Sequence, residues 1–540
     1  MYSRITAVPE CMKQGNGDLY TYSPTSAWWA FNLVANKAYE KYERILPEIR
    51  ERQAMWEERF NAQIEALDSD VAQLGEAETR KLLTSYSCKQ AEEVVQDWKD
   101  LYIYLITKYI DGQERKFEDG QFVRNRYGNP EMPKRPAFPE AAERAAAEVL
   151  ADIRQNGDEA VARYVEKFDG VKLKPAQFKL KNLNFSKMDK SLQRMVNAAY
   201  VRVVNFSKAS LKKRWEIGTA KGGRMGEFFS PMDRVGVYVP GGTAPLASTA
   251  IMTVSLAKVA GVREIVACTP AGKDGSVNEV LLYALQLAGA TEIYRVGGIQ
   301  AIGMMAYGTK TCPKVQKIAG PGNAYVTAAK RQVYGYVAID QVAGPSEIAI
   351  LADGSVPASW VAADMLSQAE HGSGLEKSLC VCTSRRFAGE VEAAILAQAQ
   401  KLGRKDKIER VIEAGGIMIA VAKSVPEGAK AINDFAPEHL EIMTKNPLDA
   451  MRFIRSAGAI FLGPWTPESA GEFVAGPSHV LPTGGAANMF SGLTPDDFRR
   501  RHSYVQFAKA DLMETLPVIK AFAGIEGLDA HGRSAEIRFE

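Results

Sequence analysis

From Pro139 to its end the sequence alternates short β-branched or aliphatic runs with alanine-rich stretches, and this alternation restricts the fold more than any other feature. The runs are RVGVYVP (234–240), EIVACTP (264–270), EIYRVGG (292–298), VAIDQVAG (337–344), EIAILAD (347–353), SLCVCTS (378–384) and GAIFLGP (458–464). Stretches such as LASTAIMTVSLAKVAG (246–261) and VNEVLLYALQLAG (277–289) separate them and read as helices. Strands apolar on both sides need cover on both faces, which predicts parallel sheets between helices. The expected fold is α/β with two Rossmann-like lobes over residues 140–540. No G-x-G-x-x-G opens any unit, so the standard dinucleotide fingerprint is absent.

Upstream the text differs. Residues 1–118 carry long aromatic-rich patterns beginning near Ser26 and running through 52–74 and 78–109. Trp29, Phe31, Leu33, Val34 and Ala38 recur at spacings that include three- and four-residue steps, as an amphipathic helix requires. This part is predicted to be an all-helical extension. Residues 119–139, with four prolines and two glycines, read as a linker or extended arm.

A net charge of +3 gives no case for nucleic acid, and no apolar run is long enough to cross a membrane. The first thirty residues show no secretory signal. The six cysteines (Cys11, Cys88, Cys268, Cys312, Cys380, Cys382) are dispersed. Cys380 and Cys382 share one face of an apparent strand without disulfide geometry, so reduced thiols in a cytoplasmic protein are expected.

Five histidines serve 540 residues, and four stand beside carboxylates or amides: SQAEHG (367–372), APEHLE (436–441), GEFVAGPSH (471–479) and EGLDAH (526–531). Histidine transfers protons near neutral pH and binds transition metals, so the pattern suggests a metal-dependent enzyme. Residues 359–371 look helical, which would put Gln368 and His371 on one face to grip an ion; a polar helix end with a capping histidine is the alternative. Glu438 and His439 offer a carboxylate and an imidazole at one locus, or else mark an ordinary helix N-terminus behind Pro437. Glu472 and His479 flank a Gly-Pro break that can fold both toward one point, or simply form a loop. Glu526 and His531 lie near the end of the chain, where function requires a docked tail. His502 has a structural reading. Three Gly-rich strand ends, VPGGTAP (239–245), VGGIQAIG (296–303) and AGPGNAY (319–325), can meet a ligand closely or just make tight turns.

From about Glu140 onward these phrases, with AGPSEIAILAD and HVLPT, resemble the histidinol dehydrogenase family, and they occur in the family's order. No clear copy of the helical segment with which that family opens precedes residues 145–170. The resemblance implies oxidation of L-histidinol to L-histidine by two NAD⁺ through a bound aldehyde. It implies one Zn²⁺ per subunit on Gln368, His371, Glu472 and His531, with Glu472 standing where the family usually has Asp. His439 is then the general base and Glu438 activates water for the second oxidation. Ser346, His479 and Glu526 contact substrate together with Gln368, His371, His439, Glu472 and His531, and NAD⁺ meets Tyr238, Gln300 and Asn323. Family members are homodimers whose C-terminal tail, here residues 490–540, reaches the partner's site. A related reaction on another polar alcohol, as in sulfopropanediol dehydrogenases, and an inactive fusion with a scaffold role are the alternatives. Residues 1–113 resemble the C-terminal part of cysteine dipeptidases of the N-terminal-nucleophile class, whose catalytic region is missing; Cys11 and Cys88 therefore read as structural.

Overall fold

The computed structural model describes residues 139–241, 246–371 and 373–540. The extension, the linker up to residue 138, Cys11 and Cys88 lie outside the described residues.

The first lobe begins with α1 (Glu140–Tyr164), α2 (Lys190–Ser210) and a hairpin of β1 (Trp215–Gly218) and β2 (Arg224–Pro231). Its sheet follows: β3 (Arg234–Tyr238), α3 (Ala247–Ala260), β4 (Glu264–Cys268), α4 (Glu279–Ala288), β5 (Glu292–Tyr294), α5 (Gly298–Tyr307), β6 (Lys317–Ala319), α6 (Ala324–Val333) and β7 (Ala338–Ile339). The second lobe comprises β8 (Glu347–Ala352), α7 (Ala358–Ala369), β9 (Lys377–Cys382), α8 (Arg385–Ala399), α9 (Lys405–Glu413) and β10 (Ile417–Val421). It continues through α10 (Val425–Phe435), β11 (His439–Met443), α11 (Pro447–Met451), β12 (Ala459–Leu462) and α12 (Glu468–Phe473). A tail of β13 (Arg499–Gln506), α13 (Lys509–Glu526) and α14 (Asp529–Glu536) ends the chain.

Both five-stranded sheets are parallel and share one topology, β5-β4-β3-β6-β7 and β10-β9-β8-β11-β12. Each is a doubly wound sheet whose order reverses between its first and fourth strands, where crossovers leave a crevice. The expectation of two such lobes is met because the strands are apolar on both faces: β3 and β8 are buried along their whole length. α3 shows why periodicity is weak here. Ten of its residues are buried, so it lies between layers instead of showing one face to water.

Local signals set the boundaries. Asn278, Asn323, Ser384 and Ser424 cap α4, α6, α8 and α10 with side-chain oxygens, satisfying amides that have no intrahelical partner. Gly261 and Gly289 end α3 and α4 in the left-handed conformation.

The structure departs from the sequence pattern in one run, rules out one alternative and adds one sheet. The run VAIDQVAG contributes only Ala338 and Ile339 to the sheet, because the chain then leaves as the connector between lobes. APEHLE does not start a helix: His439 opens β11, paired with Ile348 on one side and Ala459 on the other. The tail strand β13 pairs antiparallel with β2 over residues 499–506, forming a third sheet, β1-β2-β13, that the alternation pattern did not reveal. Cys380 and Cys382 are buried, free thiols on β9. His502 stacks on Phe228 and meets the Ser230 hydroxyl at 2.7 Å, matching its structural reading.

Candidate active site

The connector from β7 to β8 runs from the carboxyl edge of the first sheet to the amino edge of the second. Of the side chains singled out by the sequence, Glu438, His439, Glu472 and His479 gather near it. Two hydrogen bonds join the lobes at this seam: the Ser478 hydroxyl donates to the Met252 carbonyl (2.9 Å), and Thr249 Oγ1 pairs with His479 Nε2 (3.0 Å).

His439 and Glu438 are held by the first residue of β8. The Glu347 N–H donates to Glu438 Oε2 (3.0 Å), and the Glu347 carbonyl faces His439 Nδ1 (3.1 Å). A carbonyl only accepts, so Nδ1 carries a proton and Nε2 is the atom turned to the site. Glu347 is fixed in turn by the Gly484 and Gly485 amides, which donate to its Oε2 (2.8 and 3.3 Å).

His439 Nε2 lies 3.2 Å from Glu472 Oε1. The second Glu472 oxygen is 2.9 Å from His479 Nδ1, so one carboxylate bridges two imidazoles. α12 ends at Phe473, and the Gly-Pro break lets the chain turn back and return His479 to Glu472, as the motif implied.

Glu468, one helical turn before Glu472 on α12, is a site residue that sequence reasoning missed. It is buried, its Oε1 has no hydrogen-bond partner, and its Oε2 accepts from Ser367 (3.1 Å). The signal was present as an i, i+4 pair of carboxylates on one helix face. The Glu468 amide donates to Glu441 Oε1 (2.5 Å), so the start of α12 is anchored on β11.

The Gln368–His371 pair differs from expectation. α7 stops at Ala369, and His371 lies in the following turn, exposed, with Nδ1 3.1 Å from the Gln368 carbonyl. Gln368 is fully buried, and neither side-chain amide atom has a partner. A buried amide with neither atom partnered costs stability unless a ligand completes it.

Charges are shared unevenly. Burial alone would lower the His439 imidazole, but Glu438, Glu472 and Glu468 reverse this and raise it to about 10. Burial pushes Glu438 up to about 8. Glu472, although burial opposes its ionisation, is held far below the usual carboxylate range by His479 and His439. Burial raises Glu468, assisted by the charge of Glu472. Glu441 is raised by burial and by Asp364, whose own carboxyl burial lifts to about 6.

Donor atoms of His439, Glu468 and Glu472 all lie within 4.8 Å of one another. This is an oxygen- and nitrogen-donor set without thiolate, which suits Zn²⁺ and also Mn²⁺ or Co²⁺. Ser346 precedes β8, half-buried at the end of the connector. Glu526 and His531 are not brought to the cluster within this chain. Both are exposed on the tail, and among the described residues no hydrogen bond or ion pair joins either side chain to Gln368, His439 or Glu472.

The Gly-rich loops follow β3, β5 and β6, at the carboxyl edge of the first sheet. The Tyr238 hydroxyl accepts from the Gly298 amide (3.2 Å), tying the end of β3 to the second loop. Gln300 is buried; its Nε2 is 3.4 Å from Asp169 and its Oε1 has no partner. Asn323 is exposed at the N-terminus of α6. These positions flank the β3/β6 switch point, where doubly wound sheets take ligands.

Comparison with known proteins agrees with this architecture. Residues 133–539 match the histidinol dehydrogenase family. The chain is 41% identical over 403 residues to the histidinol dehydrogenase of Bacillus cereus, covering 74% of this chain and 93% of that protein. It is 42% identical over 398 residues to that of Heliobacterium mobile, covering 73% and 93%. A crystal structure of histidinol dehydrogenase from Elizabethkingia anophelis superposes with a TM-score of 0.71 at 33% identity, covering 74% of this chain and 92% of that one. At that identity and coverage, and with the same architecture, the chain belongs to the histidinol dehydrogenase family.

Proposed function

We propose that this chain oxidises L-histidinol to L-histidine in two hydride transfers to NAD⁺, with Zn²⁺ as resident metal. The observation that carries the reading is Glu472, placed between His439 and His479 and grouped with Glu468 and His439 as a donor cluster. Gln368, His371 and Glu472, with His531 from a second copy, would hold the metal, which supplies Lewis acidity and a fixed orientation for the amino alcohol.

The chain's own groups account for the proton traffic. His439, locked by the Glu347 carbonyl, turns Nε2 to the site; in its neutral form, once Nε2 has given up its proton, it accepts the hydroxyl proton while the carbinol hydride passes to NAD⁺, yielding aldehyde and NADH. Glu438, whose proton is held near the working pH by burial, exchanges protons with His439 and activates water on the aldehyde. The hydrate then gives a second hydride to a fresh NAD⁺ and leaves as the carboxylate. Tyr238, Gln300 and Asn323 would contact the cofactor at the carboxyl edge of the first sheet. Ser346, His479 and Glu526 would contact substrate.

The tail supports a shared site. On α13, Met513, Val518, Phe522 and Ile525 are more than half exposed, and Trp215 and Ile217 of β1 and Val505 of β13 are likewise open. Apolar residues at this density on an arm favour a partner surface, and a second copy in which Glu526 and His531 complete the neighbouring cluster fits it.

Incubation with L-histidinol and NAD⁺, with and without chelator, is the test. Two NADH per histidinol are expected. Turnover of a different polar alcohol alone, or none with metal supplied, would overturn the reading.

A further inference from the structure

A pair of buried opposite charges stands away from the catalytic cluster. Lys330 on α6 and Asp340 just after β7 form an ion pair, with side chains 3% and 2% exposed. Charges are withdrawn from water at large cost, so each needs its remaining hydrogen-bonding capacity met. Here that capacity is directed at one residue. Lys330 Nζ donates to the Gly320 carbonyl (2.8 Å), and the Gly320 amide donates to Asp340 Oδ2 (2.7 Å).

Gly320 opens the third Gly-rich loop, and its backbone is in a conformation that side chains rarely adopt, with φ of +118°. A Cβ there would stand 2.1 Å from the Tyr238 carbonyl oxygen, so the loop is pressed onto the end of β3. Three residues on, Asn323 caps the helix that carries Lys330. The loop, the capping asparagine and the lysine are therefore one closed unit.

Asp340 also faces the other way. Its Oδ1 accepts from the Gln341 amide (2.7 Å), at the start of the connector to β8. That connector is fastened to the segment following His479, through Gln341 to the Leu481 carbonyl and through the Gly344 amide to the Thr483 hydroxyl. It ends at Glu347, which holds both Glu438 and His439.

We propose that Lys330 and Asp340 are positioning residues that set the Gly320–Asn323 loop, and with it the bound dinucleotide, in register with the catalytic His439. The inference rests on the reading of that loop as part of the NAD⁺ site. Neither residue touches substrate or the reacting atoms. Their effect travels through the Gly320 peptide on one side and the connector on the other. A general stabilising role would lower the yield or melting temperature of the protein without discriminating between its two ligands. The clamp instead acts on the cofactor side.

The test compares full-length wild type with Lys330→Met, Asp340→Asn, the paired replacement Lys330→Met with Asp340→Leu, and Asn323→Ala. The paired variant removes both charges together, so folding does not depend on one uncompensated buried charge. Loss of charged hydrogen bonds to Gly320 is expected to raise the KM for NAD⁺ roughly tenfold or more, leaving the KM for histidinol within about twofold. The paired variant should stay folded, melting no lower than either single-charge variant, and still show the raised KM for NAD⁺. An unchanged KM for NAD⁺ in the paired variant, while Asn323→Ala raises it, would overturn the clamp and spare the cofactor reading. No NAD⁺ reduction by wild type, or no effect of Asn323→Ala, would overturn the cofactor reading and the clamp with it.

Discussion

His439 Nε2 lies 3.2 Å from Glu472 Oε1, and this contact joins β11, which His439 opens, to the short helix that carries Glu468 and Glu472. Because the other Glu472 oxygen meets His479, a change at this residue disturbs both imidazoles at once.

Glu472→Gln keeps the shape but removes the charge that both histidines face. The kcat for histidinol oxidation should fall by about 10²-fold or more, with weakened metal retention, as is typical for loss of an organising group at a metal site. Glu472→Asp shortens the side chain by one methylene and should retain metal. Steady-state kinetics with metal analysis after dialysis checks both.

Glu438 and His439 should separate by half-reaction. His439→Gln should depress alcohol and aldehyde oxidation by roughly 10²–10⁴-fold, the usual span for loss of a general base. Glu438→Gln should depress aldehyde oxidation more than alcohol oxidation, since water activation belongs to the second step alone. Rates measured separately from histidinol and from histidinaldehyde decide between this outcome and an equal loss in both.

Metal removal should abolish turnover without unfolding the lobes. The two sheets have cores of their own, in which aliphatic residues such as Val237, Ile265, Ile350 and Val361 are fully buried. Circular dichroism before and after chelation should coincide, and Zn²⁺ or Mn²⁺ should restore NADH production.

Asp169 gives a pH signature. Burial raises its carboxyl to about 6, opposed by hydrogen bonds from Gly297 and Gln300. A folded value above the unfolded one means that ionisation destabilises the fold. The penalty is fully present above pH 6 and is relieved as pH falls from 6 toward 4 and the folded state takes up the proton. Asp169→Asn should therefore stabilise the protein at pH 8 by about 1 kcal/mol, allowing for partial solvent screening, and by little at pH 4. Denaturant unfolding at the two pH values tests the sign.

Deletion of residues 509–540 should leave both lobes folded and remove activity. If Glu526 and His531 complete a neighbouring site, mixing this variant with the His439→Gln full-length chain should restore part of the turnover through hybrid dimers. Absence of any complementation would mean that the tail serves its own subunit.

Much of the fold was legible in the chain because its cause is local. Strands such as EIAILAD are apolar on both faces, and this composition alone demands helices above and below. The Gly-rich strand ends could be picked out because parallel sheets take ligands where strands finish. The motif around Glu472 and His479 was readable because one Gly-Pro break lies between them. Where a residue's role depended on distant chain, the sequence misled. His371 looked helical, but α7 ends two residues before it. The strand β11 was not picked out, because APEHLE is short and its partners, β8 and β12, lie about 90 residues before it and 20 after it. The β1-β2-β13 sheet joins segments nearly 300 residues apart and leaves no local trace.

The sequence by itself determined the residue types at the site, the two doubly wound lobes and the family. Tertiary structure alone decided that the His439–Glu472–His479 cluster forms where the two lobes meet. Only there do Thr249 and His479, 230 residues apart, share a hydrogen bond, and only there do Glu468, Glu441 and Asp364 become a buried acidic group. Periodicity records which face of an element is apolar, whereas the withdrawal of charges from water depends on which surfaces meet.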